Sequence, residues 1–310
     1  MANEQYDPEY QGATFTTEDA LRLHGDLVSA FIGDFAESAT PFCIFLAGGP
    51  GSGKGFTWEH LQKTRNVPLL PKIDVDEIRR HLPRWRQAEQ EVERLRGAGF
   101  AATAPAAVDV MMAAVRDTQV PAGKVAQAIL EHFIHHRISF VFDSTLRNQL
   151  DAKEKIFRLL TAGFRVGVVF VHTPLEVCRQ RVEARFLSTG RPVQPNFVEA
   201  CHARSQETAR LVKDILREGG KNPRDGGAAY VRVDNSSGAP HDKDTHLKEF
   251  DLFIATGCGR TALNDDELVL MLHEQRLARA LDQLGKRCEA EPLLRERLEA
   301  SRRVLGAEHP

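Results

Sequence analysis

The sequence predicts a doubly wound α/β fold of the P-loop NTPase type, a parallel sheet flanked by helices, with a helical hairpin appended at its end. Three observations predict it. Short, nearly uninterrupted apolar runs alternate with longer amphipathic stretches, the pattern of strands covered by helices on both faces. The first run, Phe42–Ala47, leads directly into Gly-Gly-Pro-Gly-Ser-Gly-Lys at 48–54, a glycine-rich turn opening a helix. Beyond residue 256 the strand signals stop and Leu, Ala, Glu and Arg dominate. The expected boundaries are therefore 1–256 for the α/β domain and 257–310 for a linker and hairpin.

Residues 17–38 carry Leu21, Leu23, Leu27, Phe31 and Phe35 at helical spacing, and Pro41 breaks the pattern. The buried strand 42–47 and the glycine loop follow, then a helix from Lys54. A second strand is expected over 69–75 and a short helix over 77–82, followed by a charged helix over 84–97. The alanine-rich stretch 98–107 reads as a surface excursion, and a long helix is expected over 121–136 with Pro121 near its start. Strand 138–143, helix 150–162, strand 165–171, helix 174–186, helix 196–217 and a last strand 228–233 complete the alternation.

Lys+Arg 41 against Asp+Glu 43 leaves a formal charge of -2, so no affinity for nucleic acid or an anionic membrane follows from the whole chain. No apolar run reaches the ~18 residues a membrane span needs. Five scattered cysteines without a Cys-x-x-Cys pair suit neither a disulfide framework nor a zinc site. With no signal-peptide pattern at the N-terminus, a cytoplasmic location is the expectation. His132, His135 and His136 lie at one-turn spacing without a completing Cys or acidic cluster, and are expected to be exposed helix histidines.

Gly48, Gly49, Pro50, Gly51, Ser52, Gly53, Lys54 and Gly55 form the expected phosphate cradle. Its glycines let backbone N–H groups converge on phosphates at a helix N-terminus, and Lys54 adds a full positive charge. Gly55 stands where most P-loops place a Ser or Thr on Mg²⁺. Mg²⁺ is still expected with the bound ATP or GTP, with Asp143 a candidate for holding it through water. Parallel strands end on one sheet edge, so Asp74 and Asp76 after the second strand, and Asp143, Thr145 and Arg147 after the third, should face the cradle. An extended chain would place Asp74 and Asp76 on one face. A carboxylate there can accept the proton of an attacking hydroxyl. Asp76 capping the next helix is the plainer reading, and the two are compatible. Arg185 and Arg191 suit a lid over a transferring phosphoryl group, whereas Arg179 and Arg181 read as solvated surface charge.

Taken together, the ordered motifs resemble the zeta toxin family of P-loop kinases. They are Gly-Gly-Pro-Gly-Ser-Gly-Lys, Ile-Asp-x-Asp-x-x-Arg ending at Arg79, Phe-Asp-Ser-Thr-Leu-Arg, Arg185-Phe186, Gly190-Arg191-Pro192 and Val233-Asp234-Asn235-Ser236, spanning about residues 20–235. The resemblance implies phosphorylation of a sugar hydroxyl on UDP-N-acetylglucosamine from ATP or GTP. It implies Asp76 as base, Lys54 on the nucleotide phosphates, and Arg185 and Arg191 on the transferring group. Asp74, Arg79, Asp143, Thr145 and Arg147 would bind the acceptor, and an antitoxin or other protein is a candidate partner. Gly55 and the short stretch between the two arginines depart from the family pattern. The tail from Leu277 resembles one tetratricopeptide repeat of the kinesin light chain type. A single repeat cannot bury both its faces, so it reads as a fragment of an array or as packed on something else.

Two other functions fit less of the chain. A nucleoside monophosphate kinase shares the Gly55 loop but lacks the Asp-x-Asp and Phe-Asp-Ser-Thr segments. A nucleotide-dependent binding protein would keep its function in an Asp76→Ala variant.

Overall fold

A computed structural model describes residues 18–65, 67–218, 228–236 and 244–255. All lie in the first of two units into which the chain divides, Met1–Arg260; the expected hairpin in 257–310 lies outside the described residues. The elements are α1 (Glu18–Ile32), β1 (Phe42–Ala47), α2 (Lys54–Thr64), β2 (Lys72–Ile73), α3 (Val75–Arg80), α4 (Pro83–Gly97) and α5 (Pro105–His135). They continue with β3 (Phe140–Ser144), α6 (Gln149–Thr161), β4 (Arg165–His172), α7 (Leu175–Thr189), α8 (Pro195–Glu218), β5 (Ala228–Asp234) and α9 (Asp244–Ala255).

The five strands form one parallel sheet in the order β2-β3-β1-β4-β5. Every residue of β1 is buried, and the period-2 alternation divides them between two cores. Cys43, Phe45 and Ala47 join Ile129 and Phe133 of α5, Ile156 of α6 and Val212 of α8 on one face. Phe42, Ile44 and Leu46 meet Trp58 and Leu61 of α2 and Phe250 and Phe253 of α9 on the other. The sheet is thus covered on both sides, and the predicted fold class holds.

Helix α9 was not expected. Phe250 and Phe253 bury it against the sheet, and the Arg165 guanidinium stacks on Phe42 and Phe253 at 5.2 and 4.9 Å while donating to the Phe253 carbonyl. The second strand is shorter than the expected 69–75: only Lys72–Ile73 pair with β3, because Asp74 already caps α3. The excursion shrinks to 98–104, since α5 begins at Pro105 and runs through Pro121. An interior proline costs about 3 kcal/mol. The cost is met because the helix is buried on both sides of it, by Met111 and Ala114 against Trp85 of α4 and by Val125, Ile129 and Phe133 in the main core. His132 and His136 stack at 4.3 Å at the end of α5, and His136 Nδ1 lies 3.3 Å from Glu37.

Candidate active site

The C-terminal edge of the sheet gathers the site. Gly48, Gly51 and Gly53 adopt φ of 144°, 80° and 85°, a region open to glycine and strained for other residues. Space is also short. A Cβ on Gly51 would lie 2.4 Å from the Cys178 carbonyl oxygen, and one on Gly53 2.1 Å from Asn235 Nδ2. The Ser52 carbonyl accepts from Asn235 Nδ2 (2.9 Å) and from Thr173 Oγ1 (3.0 Å). Arg181 donates to the carbonyls of Gly51 (3.4 Å) and Asn235 (2.8 Å). Arg181 is therefore a brace of the loop and not the solvated charge expected; Arg179 does lie on the surface, paired with Glu176 and Glu199. Gly51→Ala is expected to cost about 2 kcal/mol of stability through strain and overpacking, read by urea unfolding, and to weaken nucleotide binding with it.

Lys54 donates to the Gly48 carbonyl at 2.8 Å and lies 3.7 Å from Asp143, which register places beside Leu46 at the end of β3. Lys72, a residue the sequence reading passed over, bridges Asp143 (3.0 Å) and Asp74 (2.8 Å). Burial opposes its charge, but Asp143 and Asp74 outweigh that and hold its pKa above the ordinary lysine value.

Asp74 and Asp76 do not share an extended face as expected. Asp74 is the N-cap of α3, its Oδ1 accepting from the N–H groups of Asp76 (3.0 Å) and Glu77 (3.4 Å); Asp76 is already helical. The cap leads because its β-region backbone turns the carboxylate onto the first free N–H groups. Asp76, half-exposed, meets Arg79 NH1 at 2.9 Å and Arg191 NH2 at 2.5 Å. Burial would raise its pKa, but Arg191, Arg79 and Lys54 together hold it below the usual aspartate value.

Arg79 is buried; its NH2 donates to Gln119 of α5 at 2.5 Å and its guanidinium lies 5.8 Å from the Trp85 ring. It thus fixes Asp76 from within the protein. Arg191 follows Gly190, the left-handed C-cap of α7, on which a Cβ would lie 2.9 Å from Ala102 of the 98–104 connection. Arg185, near the end of the same helix, has a buried Nε with no partner. Burial and the neighbouring Arg191 pull its pKa below the usual arginine value, with Asp76 opposing. Two guanidinium groups of like charge, one of them under-satisfied, suit an anion between them.

Thr145 and Arg147 sit in the loop after β3, turned by Leu146 at φ 50°. They are tied to α8: the Thr145 carbonyl accepts from Ser205 Oγ at 2.5 Å, and Arg147 stacks on Phe197 at 4.9 Å. Asn235, part of a quoted motif, is the buried brace of the P-loop. Among the described residues no group of three His, Cys, Asp or Glu forms a ready metal site. A Cβ on Gly55 would meet nothing within 4 Å, and Asp143 supplies a carboxylate beside the cradle lysine. That donor set fits Mg²⁺, which keeps several waters and takes one or two carboxylates plus substrate phosphates.

The parallel sheet, the glycine cradle with its lysine, and the carboxylates and arginines on one edge define a P-loop kinase-like protein. The zeta toxin family profile matches residues 29–219, and the chain belongs to that family. Among solved structures, it is similar to a chain from the PezAT chromosomal toxin–antitoxin system of Streptococcus pneumoniae. The TM-score is 0.50 at 16% identity, covering 84% of this chain and 95% of that one. Complexes of AvrRxo1-ORF1 with AvrRxo1-ORF2, one with ATP and one with sulphate ions, match at TM-scores of 0.44 and 0.45 and 15% identity, covering 87% of this chain and 84% of theirs. No curated protein matches the sequence. No helix among the described residues is long and apolar enough to cross a membrane.

Proposed function

We propose that this protein is a kinase that transfers the γ-phosphoryl group of ATP or GTP to a hydroxyl of a small acceptor, the sugar of UDP-N-acetylglucosamine. The observation that carries the reading is the Asp76 carboxylate, held between Arg79 and Arg191 and within the field of Lys54. A carboxylate paired with the arginine expected on the transferring group, and within the field of the cradle lysine, supports Asp76 as the base.

The acceptor oxygen forms a bond to the γ-phosphorus as the bond from that phosphorus to the bridging oxygen breaks. The nucleoside diphosphate leaves with the electron pair, and Asp76 takes the hydroxyl proton. Lys54 and the P-loop N–H groups hold the donor phosphates, and Arg185 and Arg191 stabilise the transferring group. Bound Mg²⁺, held by the phosphates and through water by Asp143, would neutralise their charge. Arg191 must then loosen its grip on Asp76, so phosphate binding itself releases the base. Asp74 and Arg79 act on the acceptor only through Asp76, whereas Thr145 and Arg147 offer the acceptor a polar flank beside α8.

ATP consumption with product mass analysis over UDP-N-acetylglucosamine, other UDP-sugars, AMP and CMP tests the reading. UDP-N-acetylglucosamine should stimulate turnover and gain one phosphate. Phosphorylation of AMP or CMP alone would instead establish a nucleoside monophosphate kinase. Because the space beside Gly55 is open, Gly55→Ser is expected to fold normally and to lower, several-fold, the Mg²⁺ concentration needed for half-maximal turnover, measured by titration. The toxin–antitoxin origin of the Streptococcus pneumoniae neighbour supports an antitoxin as a candidate partner. The 257–310 segment, read as a tetratricopeptide-like hairpin, would offer a separate protein contact, and we place the protein in the cytoplasm.

A further inference from the structure

One cation ties the two halves of the site together. The Asp76 N–H donates to Asp74 Oδ1; Asp74 Oδ2 meets Lys72; Lys72 meets Asp143 Oδ2; Asp143 Oδ1 faces Lys54; and Lys54 returns to the Gly48 carbonyl. Each link is between 2.8 and 3.7 Å, and together they run from the backbone of the acceptor-side helix to the donor-side loop. Lys72 is the only member on β2, and its side chain is 30% exposed, so it lines the site edge. Resting on the kinase reading above, we propose that Lys72 is a positioning residue with two effects. It locks the helix bearing Asp76 to the P-loop, and it reserves Asp143 from direct metal coordination.

The second effect follows from charge. Asp143 already faces two ammonium groups, one per oxygen. A divalent ion binding directly would have to displace Lys72 at Oδ2 or Lys54 at Oδ1, or sit against one of them, and like charges at contact distance are costly where solvent is partly excluded. A hydrated ion one water further out escapes most of that repulsion. Glycine at position 55 supplies no hydroxyl to the inner shell from the place where most P-loops carry Ser or Thr. Lys72 thereby leaves the metal on the nucleotide and keeps the carboxylate as a hinge between two lysines. Without Lys72, Asp143 Oδ2 becomes an open inner-shell ligand, and the cap Asp74 loses its second partner.

The experiment uses the full chain and Mn²⁺ as the probe, followed by its electron paramagnetic resonance signal in the absence of nucleotide. Lys72→Met is expected to bind Mn²⁺ at least about tenfold more tightly than wild type, and Lys72→Met with Asp143→Asn to lose that gain. Lys72→Arg, which keeps the charge, should stay within about threefold of wild type in both Mn²⁺ affinity and kcat. In parallel, kcat of Lys72→Met should fall at least tenfold with the KM for ATP changed less than threefold. Should Lys72→Met fail to fold, Lys72→Gln carries the same expectations. Unchanged or weaker Mn²⁺ binding overturns the shielding role, and unchanged kcat overturns the positioning role. If wild type turns over no nucleotide sugar, the kinase reading fails, while the Mn²⁺ comparison still decides the metal half of the proposal.

Discussion

Asp76→Asn is expected to lower kcat by about 10²- to 10⁴-fold, the usual contribution of a positioned general base. Binding of a non-hydrolysable ATP analogue should stay close to that of wild type. The amide keeps the size of the side chain and one acceptor for Arg79, so α3 and its Asp74 cap survive. What it loses is the ability to take the acceptor proton. The pH dependence carries a sign. Because Arg191, Arg79 and Lys54 hold the Asp76 pKa below the usual aspartate value, against the effect of burial, the base is ionised above that value. Activity owed to it should therefore persist as pH falls through the ordinary aspartate range and disappear only below it. In Arg191→Ala the acid limb of kcat/KM should move upward, because the first of those three cations is gone. A limb that stays in place in that variant would separate Asp76 from the proton transfer.

Arg185→Ala and Arg191→Ala are each expected to cost about 10²- to 10³-fold in kcat, as for removal of one preorganised donor to a developing charge. The two sites differ in stability. Arg185 is half-buried, with a desolvated Nε lacking a partner, so its replacement relieves a burial cost and the protein should melt no lower than wild type. Arg191 is paired with Asp76, but the carboxylate is half-exposed and Arg79 remains on it, so stability should change little there as well. Thermal unfolding alongside turnover therefore separates the roles: two active-site arginines give large losses of rate with small changes in melting. A large drop in melting temperature for either would show that it holds the fold together instead.

Strongly periodic features carried most of the fold into the sequence. Phe42–Ala47 was legible because six consecutive apolar residues ending at a glycine loop have few other uses, and its burial on both faces follows the same pattern. The motif residues were legible because phosphate chemistry restricts what can stand there. What escaped was decided by tertiary context. Asp74 and Asp76 look alike in sequence, and only the position of the first helical N–H groups decides that Asp74 caps while Asp76 faces the arginines. Pro121 reads as a helix start until two separate cores are seen to hold α5 on either side of it. Lys72 and Arg181 look like surface charge because nothing local shows that each meets partners from distant strands or loops.

Asp76 as the base of a sugar-nucleotide kinase is tested by transfer of γ-labelled phosphate from ATP to UDP-N-acetylglucosamine by wild type and Asp76→Asn, with nucleotide binding measured on both. Label should appear in the sugar nucleotide with wild type and almost none with Asp76→Asn, at equal nucleotide affinity. Transfer by Asp76→Asn at the wild-type rate, or label appearing only as inorganic phosphate with wild type, would contradict it.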